Sequence, residues 1–360
     1  MEVNQVEKRK SLIRSSVLTL VGILVLTSCG SGNGDSTGPM ADPTAEESIA
    51  PKEIEKASLR LDWTFGTFHA PFLFALDNGY YKEEGIDLEI TEGQGSGQTM
   101  TLVGTGEATF GWGDTGTAAL QINGEVPIKV IAVVQRRTPF GIACHGDIVF
   151  TKPSDLVGHS VVMVPQESTA QMWPAYLKLN GISESDVKVV SADWSTKTAL
   201  FLAGEADCMA GYPAVDILQA QLADPSIGKS IWWSDQGVHI LSQGLVASEV
   251  TLAEKPELVR GFLRASLRAW KELCADPNIG SSFFIKRFPD LHTTDKEIAY
   301  SKQSMVHECS LTVPQEGTGA TAFGATTDAE WKEMLDLLGE FGGLEPRQEA
   351  TNYYTNSFLS

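Results

Sequence analysis

LRLDWTFGTFHAPFLFALDNGYYKEEGIDLEI, residues 59–90, predicts a strand, a crowded loop, a helix and a second strand in one short run. The loop, DWTFGTFHA, places three aromatic rings and a histidine where apolar strands usually end in small polar turn residues. A strand followed by a helix and another strand is the repeating unit of parallel sheets. The stretch therefore predicts an α/β fold, and the rings of its loop need a partner.

The alternation of strands and helices continues outward from this stretch. A second α/β unit begins near FGIACHGDIVF, and the pattern becomes helical after HILSQGLVAS. We therefore predict two lobes, each a mostly parallel sheet flanked by helices, with a cleft between them. Residues 57–140 and 242–360 are predicted to form the first lobe, and residues 141–241 the second.

The ends of the predicted strands locate the candidate site, because ligands of open α/β sheets bind beyond the carboxyl ends of the strands. The segments that follow the predicted strands are 62–69, 93–98, 113–117, 165–169, 193–196 and 211–216. From them we expect the ligand-binding residues to be Asp62, Trp63, Phe65, Phe68, His69, Gly95, Ser96, Asp114, Thr115, Glu167, Ser168, Trp194, Tyr212 and Asp216.

Specific roles are predicted for some of these residues. We expect Asp62 and His69 to hydrogen bond with the ligand and Trp63 to stack on it. Gly95 and Ser96 open a helix in EGQGSGQ, where free backbone N–H groups could bind a carbonyl or an anion.

Simpler interpretations stay open for several positions. The EGQGSGQ turn could cap its helix without binding a ligand. It lacks the lysine of a nucleotide-binding P-loop. Asp114, Thr115 and Ser168 could equally cap the helices that follow them. Trp112 lies within a predicted strand and is expected in the core.

The residue types in these segments favour one ligand class. Aromatic rings and carboxylates are frequent and basic residues are rare, which suits a neutral or cationic flat heterocycle. Nitrate or a sulfonate would need basic side chains or backbone donors. The sequence has no G-x-S-x-G elbow and no H-E-x-x-H motif, so we expect neither an enzyme nor a metal or cofactor site.

The first residues predict an export signal. Basic residues precede the apolar run 17–26, and LTSCG follows at once, as in the lipobox of bacterial lipoproteins. We expect a signal peptide over 1–28, a lipidated Cys29 and a flexible linker over 29–56. An ordinary signal peptide with a chance cysteine is the alternative. The predicted location is the extracytoplasmic face of a membrane, with the protein held there by a lipid anchor such as palmitate.

Charge and cysteine content restrict the partners further. The net charge of −19 argues against nucleic acid as a partner, and we expect a monomer. Cys144, Cys208, Cys274 and Cys309 remain for disulfides in an oxidising compartment, with three possible pairings. The pair Cys274 and Cys309 is favoured, because each falls near the end of a predicted helix.

Two stretches resemble a known family. LDWTFGTFHAPFLFALDNGYYKEEGIDLEI and GSGQTMTLVGTGEATFGWGD are similar to substrate-binding proteins of ABC importers, in the nitrate/sulfonate/taurine and thiamine-pyrimidine-precursor group. The similarity spans residues 57–345. It implies a type II periplasmic-binding-protein fold, a small-molecule ligand held by clamshell closure, and an ABC permease and ATPase as partners.

The loop DWTFGTFHA also resembles that of proteins that bind the hydroxymethyl-pyrimidine precursor of thiamine. Yeast members of the fold make this pyrimidine by consuming a histidine that His69 matches in motif position, but they need a run of cysteines that this sequence lacks. The resemblance therefore implies that His69 is a binding contact. Phe65, Gly66 and Phe68 replace Pro, Asn and Asn of the usual loop and make it more aromatic.

Three other functions stay open beside a heterocycle-binding protein. A sulfonate-, taurine- or nitrate-binding protein would belong to the same transporter class. A pyrimidine-synthesising enzyme or a sensor lipoprotein that does not transport would belong to another class.

Overall fold

The computed structural model describes residues 54–238, 240–312 and 322–359, which all belong to one compact unit, Ala50–Ser360. The predicted signal peptide, Cys29 and most of the predicted linker lie outside the described residues. The linker was predicted to end at residue 56, but the first strand already begins at Glu55. Within the described ranges, no helix is long and apolar enough to cross a membrane.

Ten strands are present in the part of the chain that the structure describes. They are β1 (Glu55–Arg60), β2 (Ile86–Thr91), β3 (Phe110–Asp114), β4 (Ile128–Val133), β5 (Gly141–Cys144), β6 (Ser160–Met163), β7 (Lys188–Ser191), β8 (Cys208–Gly211), β9 (Ile231–Trp232) and β10 (Gln243–Ser248).

The strands form two sheets with the same plan. The order of the first sheet is β2-β1-β3-β10-β4, and that of the second is β7-β6-β8-β5-β9. In the first sheet β10 is antiparallel to both of its neighbours, and in the second sheet β5 is antiparallel to both of its neighbours. The other pairs are parallel. Each sheet is therefore mostly parallel, with one reversed strand that follows a passage of the chain from the other sheet.

Helices cover the sheets. Over the described ranges they are α1 (Ala70–Asp77), α2 (Tyr80–Glu83), α3 (Ser96–Thr105), α4 (Thr115–Asn123), α5 (Ser168–Leu179), α6 (Lys197–Leu202), α7 (Asp216–Ala223), α8 (Glu249–Glu254), α9 (Pro256–Ala275), α10 (Pro277–Arg287), α11 (Asp295–Leu311) and α12 (Asp328–Phe341).

The first sheet is covered on the side of α9, and the sequence of this helix explains why. Its apolar residues recur every three or four positions, which gives the helix one buried face. On that face Phe262 stacks on Phe110 of β3 with ring centroids 3.8 Å apart, and Trp270 stacks on Trp112 at 5.3 Å. Every residue of β3 is buried, as expected for a strand inside a covered, mostly parallel sheet.

The chain passes twice between the sheets, and the two passages are hydrogen bonded to each other. The backbone N–H groups of Val134 and Gln135 both donate to the carbonyl of Gln243, each at 2.9 Å. The hydroxyl of Thr138 donates to the carbonyl of Val238 at 3.1 Å. Paired connecting segments of this kind are where a hinge between two lobes would turn. The lobe boundaries near residues 140 and 242 stay a prediction.

Two disulfides join elements that are distant in the sequence. Cys144 in β5 is bonded to Cys208 in β8, and Cys274 in α9 is bonded to Cys309 in α11, which is the pair that the sequence favours. Loops of 64 and 35 residues are closed in this way. By the chain-entropy argument each closure destabilises the unfolded chain by about 4 kcal/mol.

Candidate functional site

A pocket lies where strand ends of the two sheets face each other. Its walls come from the loop after β1, from β3, from the residue after β8, from the starts of α3, α5 and α7, from the two connecting segments and from one turn of α11. The lining residues are Asp62, Trp63, Phe68, Gly95, Ser96, Trp112, Gln135, Glu167, Ser168, Tyr212, Val215, Asp216, Gln243 and Glu308.

Most of the predicted site residues line this pocket. They are Asp62, Trp63, Phe68, Gly95, Ser96, Glu167, Ser168, Tyr212 and Asp216. The structure places the other predicted residues elsewhere, and these are Phe65, His69, Asp114, Thr115 and Trp194.

His69 lies behind Asp62 rather than in the pocket wall. The short 3-10 helix Thr67–His69 turns the imidazole inward, where it is fully buried. Its Nε2 lies 2.8 Å from Oδ1 of Asp62, whose Oδ2 accepts a hydrogen bond from Gln243 at 3.0 Å. The prediction of a direct ligand contact is therefore corrected, because His69 fixes the orientation of the Asp62 carboxylate.

Two predicted aromatic side chains lie outside this pocket. Phe65 stacks on Phe288 with ring centroids 5.7 Å apart, because the loop bends toward α10 at this point. Trp194 is 37% exposed and meets Trp63 edge to face at 6.4 Å. Trp194 follows β7 of the second sheet, so it supports Trp63 from the opposite side of the cleft rather than facing the pocket.

Asp114 and Thr115 form the start of a helix. The Asp114 carboxylate accepts hydrogen bonds from the backbone N–H of Thr117 at 2.7 Å and from its hydroxyl at 3.0 Å, which caps α4. Burial, with a contribution from the charge of Asp62, raises the pKa of Asp114 to about 7. Thr115 is fully buried, and its hydroxyl lies 3.8 Å from the sulfur of Met334.

Gly95 lines the pocket but does not offer the backbone donor that we predicted. Its N–H donates to the carbonyl of Asp62 at 2.7 Å. Its φ of 115° lies in the region that favours glycine, and a Cβ at this position would come within 2.4 Å of the carbonyl oxygen of Gln166. Gly95 therefore allows the start of α3 to approach the segment before α5.

Direct hydrogen bonds join the two sides of the pocket. The Ser168 hydroxyl donates to the Ser96 hydroxyl at 2.9 Å, and the Gly97 N–H donates to the carbonyl of Gln166 at 3.1 Å. The Gln243 amide donates to the Tyr212 hydroxyl at 2.8 Å. The pocket between them has a cavity volume of about 30 Å³, room for one or two water molecules.

The positive charge of one buried lysine balances the negative charges of two carboxylates that line the pocket. Nζ of Lys197 lies 2.6 and 2.7 Å from the oxygens of Glu167 and 2.6 Å from Oδ2 of Asp216. Burial lowers the pKa of Lys197, but the charges of Asp216 and Glu167 together outweigh burial, so the net shift is upward. The ammonium stays charged, and its three N–H groups are all directed at these carboxylates.

The pocket wall itself is acidic. Asp62, Glu167, Asp216 and Glu308 line it, whereas no Lys or Arg of the described residues does. Burial raises the pKa of Glu308 to about 8, against the effect of its hydrogen bond with Gln135. Glu308 is therefore mostly protonated at neutral pH and can donate a hydrogen bond.

The amide oxygens of two glutamines are available at the pocket as hydrogen-bond acceptors. Gln135 lies on the connecting segment after β4, and Gln243 is the first residue of β10, where the second connecting segment ends. The amide nitrogen of Gln243 faces the Asp62 carboxylate, which can only accept, and this fixes which atom is the oxygen. Among the described residues, neither glutamine Oε1 has a hydrogen-bond partner although both are buried. A ligand with N–H or O–H groups would satisfy them.

The expectation that ligands bind beyond the carboxyl ends of strands, which we call the strand-end rule, did not identify several pocket residues. Trp112, assigned to the core from the sequence, does pack on Trp270 but also reaches the pocket. Gln135 and Gln243 could have been found by applying the rule to the connecting segments, where polar residues interrupt apolar runs. Val215 lies in the predicted segment 211–216 but was not among the expected ligand-binding residues. Nothing in the sequence points to Glu308, which comes from a distant helix.

Comparison with known proteins bears on both fold and family. A family model described as NMT1/THI5 like matches residues 67–279. The chain is 25% identical over 354 residues to the riboflavin-binding protein RibY of Chloroflexus aurantiacus, with 96% of this chain and 98% of that protein covered. It is 22% identical over 335 residues to the formylaminopyrimidine-binding protein of Halalkalibacterium halodurans, with 91% and 93% covered.

An enzyme is also among the relatives. The chain is 25% identical over 311 residues to a 4-amino-5-hydroxymethyl-2-methylpyrimidine phosphate synthase of Legionella pneumophila, with 84% of this chain and 92% of that protein covered. In fold, the chain is similar to the alkanesulfonate-binding protein SsuA from Xanthomonas axonopodis bound to MOPS. The TM-score is 0.66 at 13% identity, with 84% and 99% covered. The predicted two-lobed fold, that of type II periplasmic binding proteins, is confirmed.

Proposed function

This chain belongs to the NMT1/THI5 like family, and on that premise we propose that it is the extracytoplasmic solute-binding protein of an ABC importer. Its ligand is a small flat heterocycle that carries N–H or O–H donors. The lobes close over this ligand and present it to the permease, and the ATPase drives its transport. The observation that carries the proposal is a pocket of aromatic rings and hydrogen-bond acceptors with no basic side chain in its described wall.

The rings support a flat ligand. Trp63 and Phe68 come from the loop after β1, Trp112 from β3 and Tyr212 from the end of β8. A heterocycle held among such rings gains apolar burial and stacking contacts together. A cavity of about 30 Å³ is far smaller than such a ring, so binding requires the lobes to move apart first.

The polar groups support donors on the ligand. Oε1 of Gln135 and Oε1 of Gln243 are buried acceptors without partners among the described residues. Each such atom costs about 1–3 kcal/mol, which a ligand N–H group would relieve. The names of two relatives agree with this ligand class, since riboflavin and formylaminopyrimidine are both nitrogen heterocycles.

An anion suits this pocket poorly. A sulfonate or nitrate would lie beside the Asp62 carboxylate, and Lys197 is already committed to Glu167 and Asp216. Like charges in a buried site cost several kcal/mol unless a cation intervenes. We therefore rank anion binding below heterocycle binding.

Binding without chemistry is the simplest role for this site. His69 is fully buried and its Nε2 is engaged by Asp62, so it is not accessible as a reactant.

We further propose that the protein is a monomer. We also propose that it is anchored through lipid on Cys29, because LTSCG follows the apolar run. Labelled palmitate incorporated into the wild type and lost in Cys29→Ala would support the anchor; incorporation that survives the substitution would exclude it.

A thermal-shift screen of the full chain tests the ligand class. The panel contains flavins, purines, pyrimidines, thiamine precursors, taurine, an alkanesulfonate and nitrate. We expect a heterocycle at 100 times its Kd to add about 2.7 kcal/mol to the free energy of unfolding, and the anions to add nothing. A melting-temperature shift with an anion and with no heterocycle would overturn the proposal.

A further inference from the structure

A second cavity, which we call the side groove, adjoins the pocket. One wall is the loop 64–67, another contains Gln219 and Ala223 of α7, and the third contains Tyr300 and Ser301 of α11. Its cavity volume is about 580 Å³, against about 30 Å³ for the pocket. The side groove therefore has room for a substantial ligand fragment, since ligand cavities typically measure about 300–1,000 Å³.

The pocket and the side groove share part of their walls. Trp63, Phe68 and Val215 line both cavities. The two aromatic residues belong to the loop after β1, and Val215 lies just before α7 on the other side of the cleft. A ring held against Trp63 and Phe68 in the pocket can therefore extend a substituent directly into the side groove.

The side groove offers neutral hydrogen-bonding groups. Thr64, Thr67, Gln219 and Tyr300 bring hydroxyls and an amide to its walls. The Thr67 side chain is 1% exposed, and its hydroxyl has no hydrogen-bond partner among the described residues. Such groups both donate and accept, which matches the hydroxyls of a sugar or sugar alcohol.

The charges of the side groove do not suit a phosphate. Asp290 and Glu297 are acidic and Lys296 is the single cation in its described wall. Phosphate sites instead present several basic side chains or converging backbone N–H groups. A chain that ends in phosphate would therefore be bound less tightly than the same chain without it.

We propose that the ligand has two parts, a flat ring bound in the pocket and a neutral hydroxylated chain bound in the side groove. This inference rests on the proposed function, because the ring occupies the site described above. It narrows the ligand class to unphosphorylated heterocycles with a sugar or sugar-alcohol substituent.

Tyr300 of α11 lines the side groove, and burial raises the pKa of its hydroxyl. The hydroxyl therefore stays protonated and can donate to an oxygen of the hydroxylated substituent. Loss of this hydroxyl in Tyr300→Phe should weaken a chain-bearing ligand about fivefold and leave the bare ring unaffected.

Two series of compounds test the inference by titration calorimetry with the full chain. One series is lumichrome, riboflavin and riboflavin phosphate, and the other is adenine, adenosine and adenosine monophosphate. In the series that binds, we expect the neutral chain to lower Kd at least about tenfold relative to the bare ring, and the phosphate to reverse this gain.

A bulky substitution tests whether the hydroxylated substituent of the ligand lies in the side groove. Gln219→Trp places a large ring in the side groove from an exposed position of α7, and Gln303→Trp, at an exposed position of α11 outside the side groove, is its matched control. Gln219→Trp should abolish the advantage of the chain and keep the affinity for the bare ring, whereas Gln303→Trp should change neither.

The outcomes separate this inference from the proposed function. Equal affinity for a bare ring and its chain-bearing form, or tighter binding of the phosphate, would overturn the two-part ligand and leave heterocycle binding intact. If Gln219→Trp leaves the affinity for the chain-bearing ligand unchanged, the hydroxylated substituent of the ligand does not lie in the side groove. If no compound of either series binds while a bare pyrimidine of the thermal-shift panel does, the two-part ligand is overturned and heterocycle binding stands.

Discussion

Nε2 of His69 lies 2.8 Å from Oδ1 of Asp62, and only Asp62 of this pair lines the pocket. We therefore expect the histidine to act on a ligand through the carboxylate that it orients, and this expectation leads to the first prediction.

His69→Ala should weaken heterocycle binding about tenfold, because Asp62 loses a charge-assisted hydrogen bond and with it a fixed orientation. The measurement is Kd by titration calorimetry. His159→Ala is the matched control, since His159 pairs with Asp207 at 3.6 Å, well away from the pocket, and should leave Kd unchanged. An unaltered Kd in His69→Ala would show that Asp62 does not need this partner.

Gln243 connects the two sides of the cleft and should control the closed state. Tyr212→Phe removes the hydroxyl that accepts the hydrogen bond from Gln243, while the edge contact of its ring with Phe140 can remain. We expect about a fivefold faster dissociation of the ligand for this variant. Gln243→Leu also removes the Asp62 contact and the free acceptor, so its effect should be larger. Stopped-flow dissociation rates in the reverse order would contradict this role.

Lys197 should be essential for stability. Lys197→Met leaves the buried carboxylates of Glu167 and Asp216 without their cation, and the free energy of unfolding should fall by about 3–5 kcal/mol. Urea denaturation measures this loss. Lys178→Met, at an exposed position, is the matched control and should cost less than about 0.5 kcal/mol. A loss as small as that of the control would mean that the carboxylates are neutral in the folded protein.

Glu308 should make stability depend on pH. Burial raises its pKa from 4.5 to about 8, so between these values the unfolded chain releases a proton that the folded chain keeps. The stabilising contribution is full below pH 4.5 and is lost as the pH rises through about 8. Glu308→Gln stays neutral throughout and should flatten the decline.

Urea midpoints at about pH 5 and about pH 8.5 test this dependence. Asp114, whose pKa is raised to about 7 by burial, will leave a residual slope in the variant. The same decline in the wild type and in Glu308→Gln would contradict the assignment.

Local sequence signals predicted the fold and much of the pocket. The alternation of strands and helices and the strand-end rule led to residues such as Asp62, Ser96 and Tyr212, because the carboxyl ends of parallel strands share one edge of a sheet. The family resemblance stated from the sequence is confirmed by the match over residues 67–279. These features depend on neighbours in the chain, which a sequence displays directly.

The site predictions that differ from the structure concern side chains whose orientation is decided by tertiary contacts. Whether His69 faces a ligand or supports Asp62 depends on a turn of the 3-10 helix, and the sequence is the same in both cases. Lys197 meets Glu167 across 30 residues, and Glu308 reaches the pocket from another region of the chain altogether. Pairings of this kind follow from packing of whole helices rather than from local pattern.

Titration calorimetry of the wild type and of Trp63→Ala, with the best heterocycle of the screen and with taurine, tests the central claim most directly. Trp63 lines the pocket and is held edge to face by Trp194. We expect the wild type to bind the heterocycle and not taurine. We also expect Trp63→Ala to raise Kd at least about tenfold through lost stacking and burial. Taurine binding without heterocycle binding, or a heterocycle Kd that Trp63→Ala leaves unchanged, would contradict it.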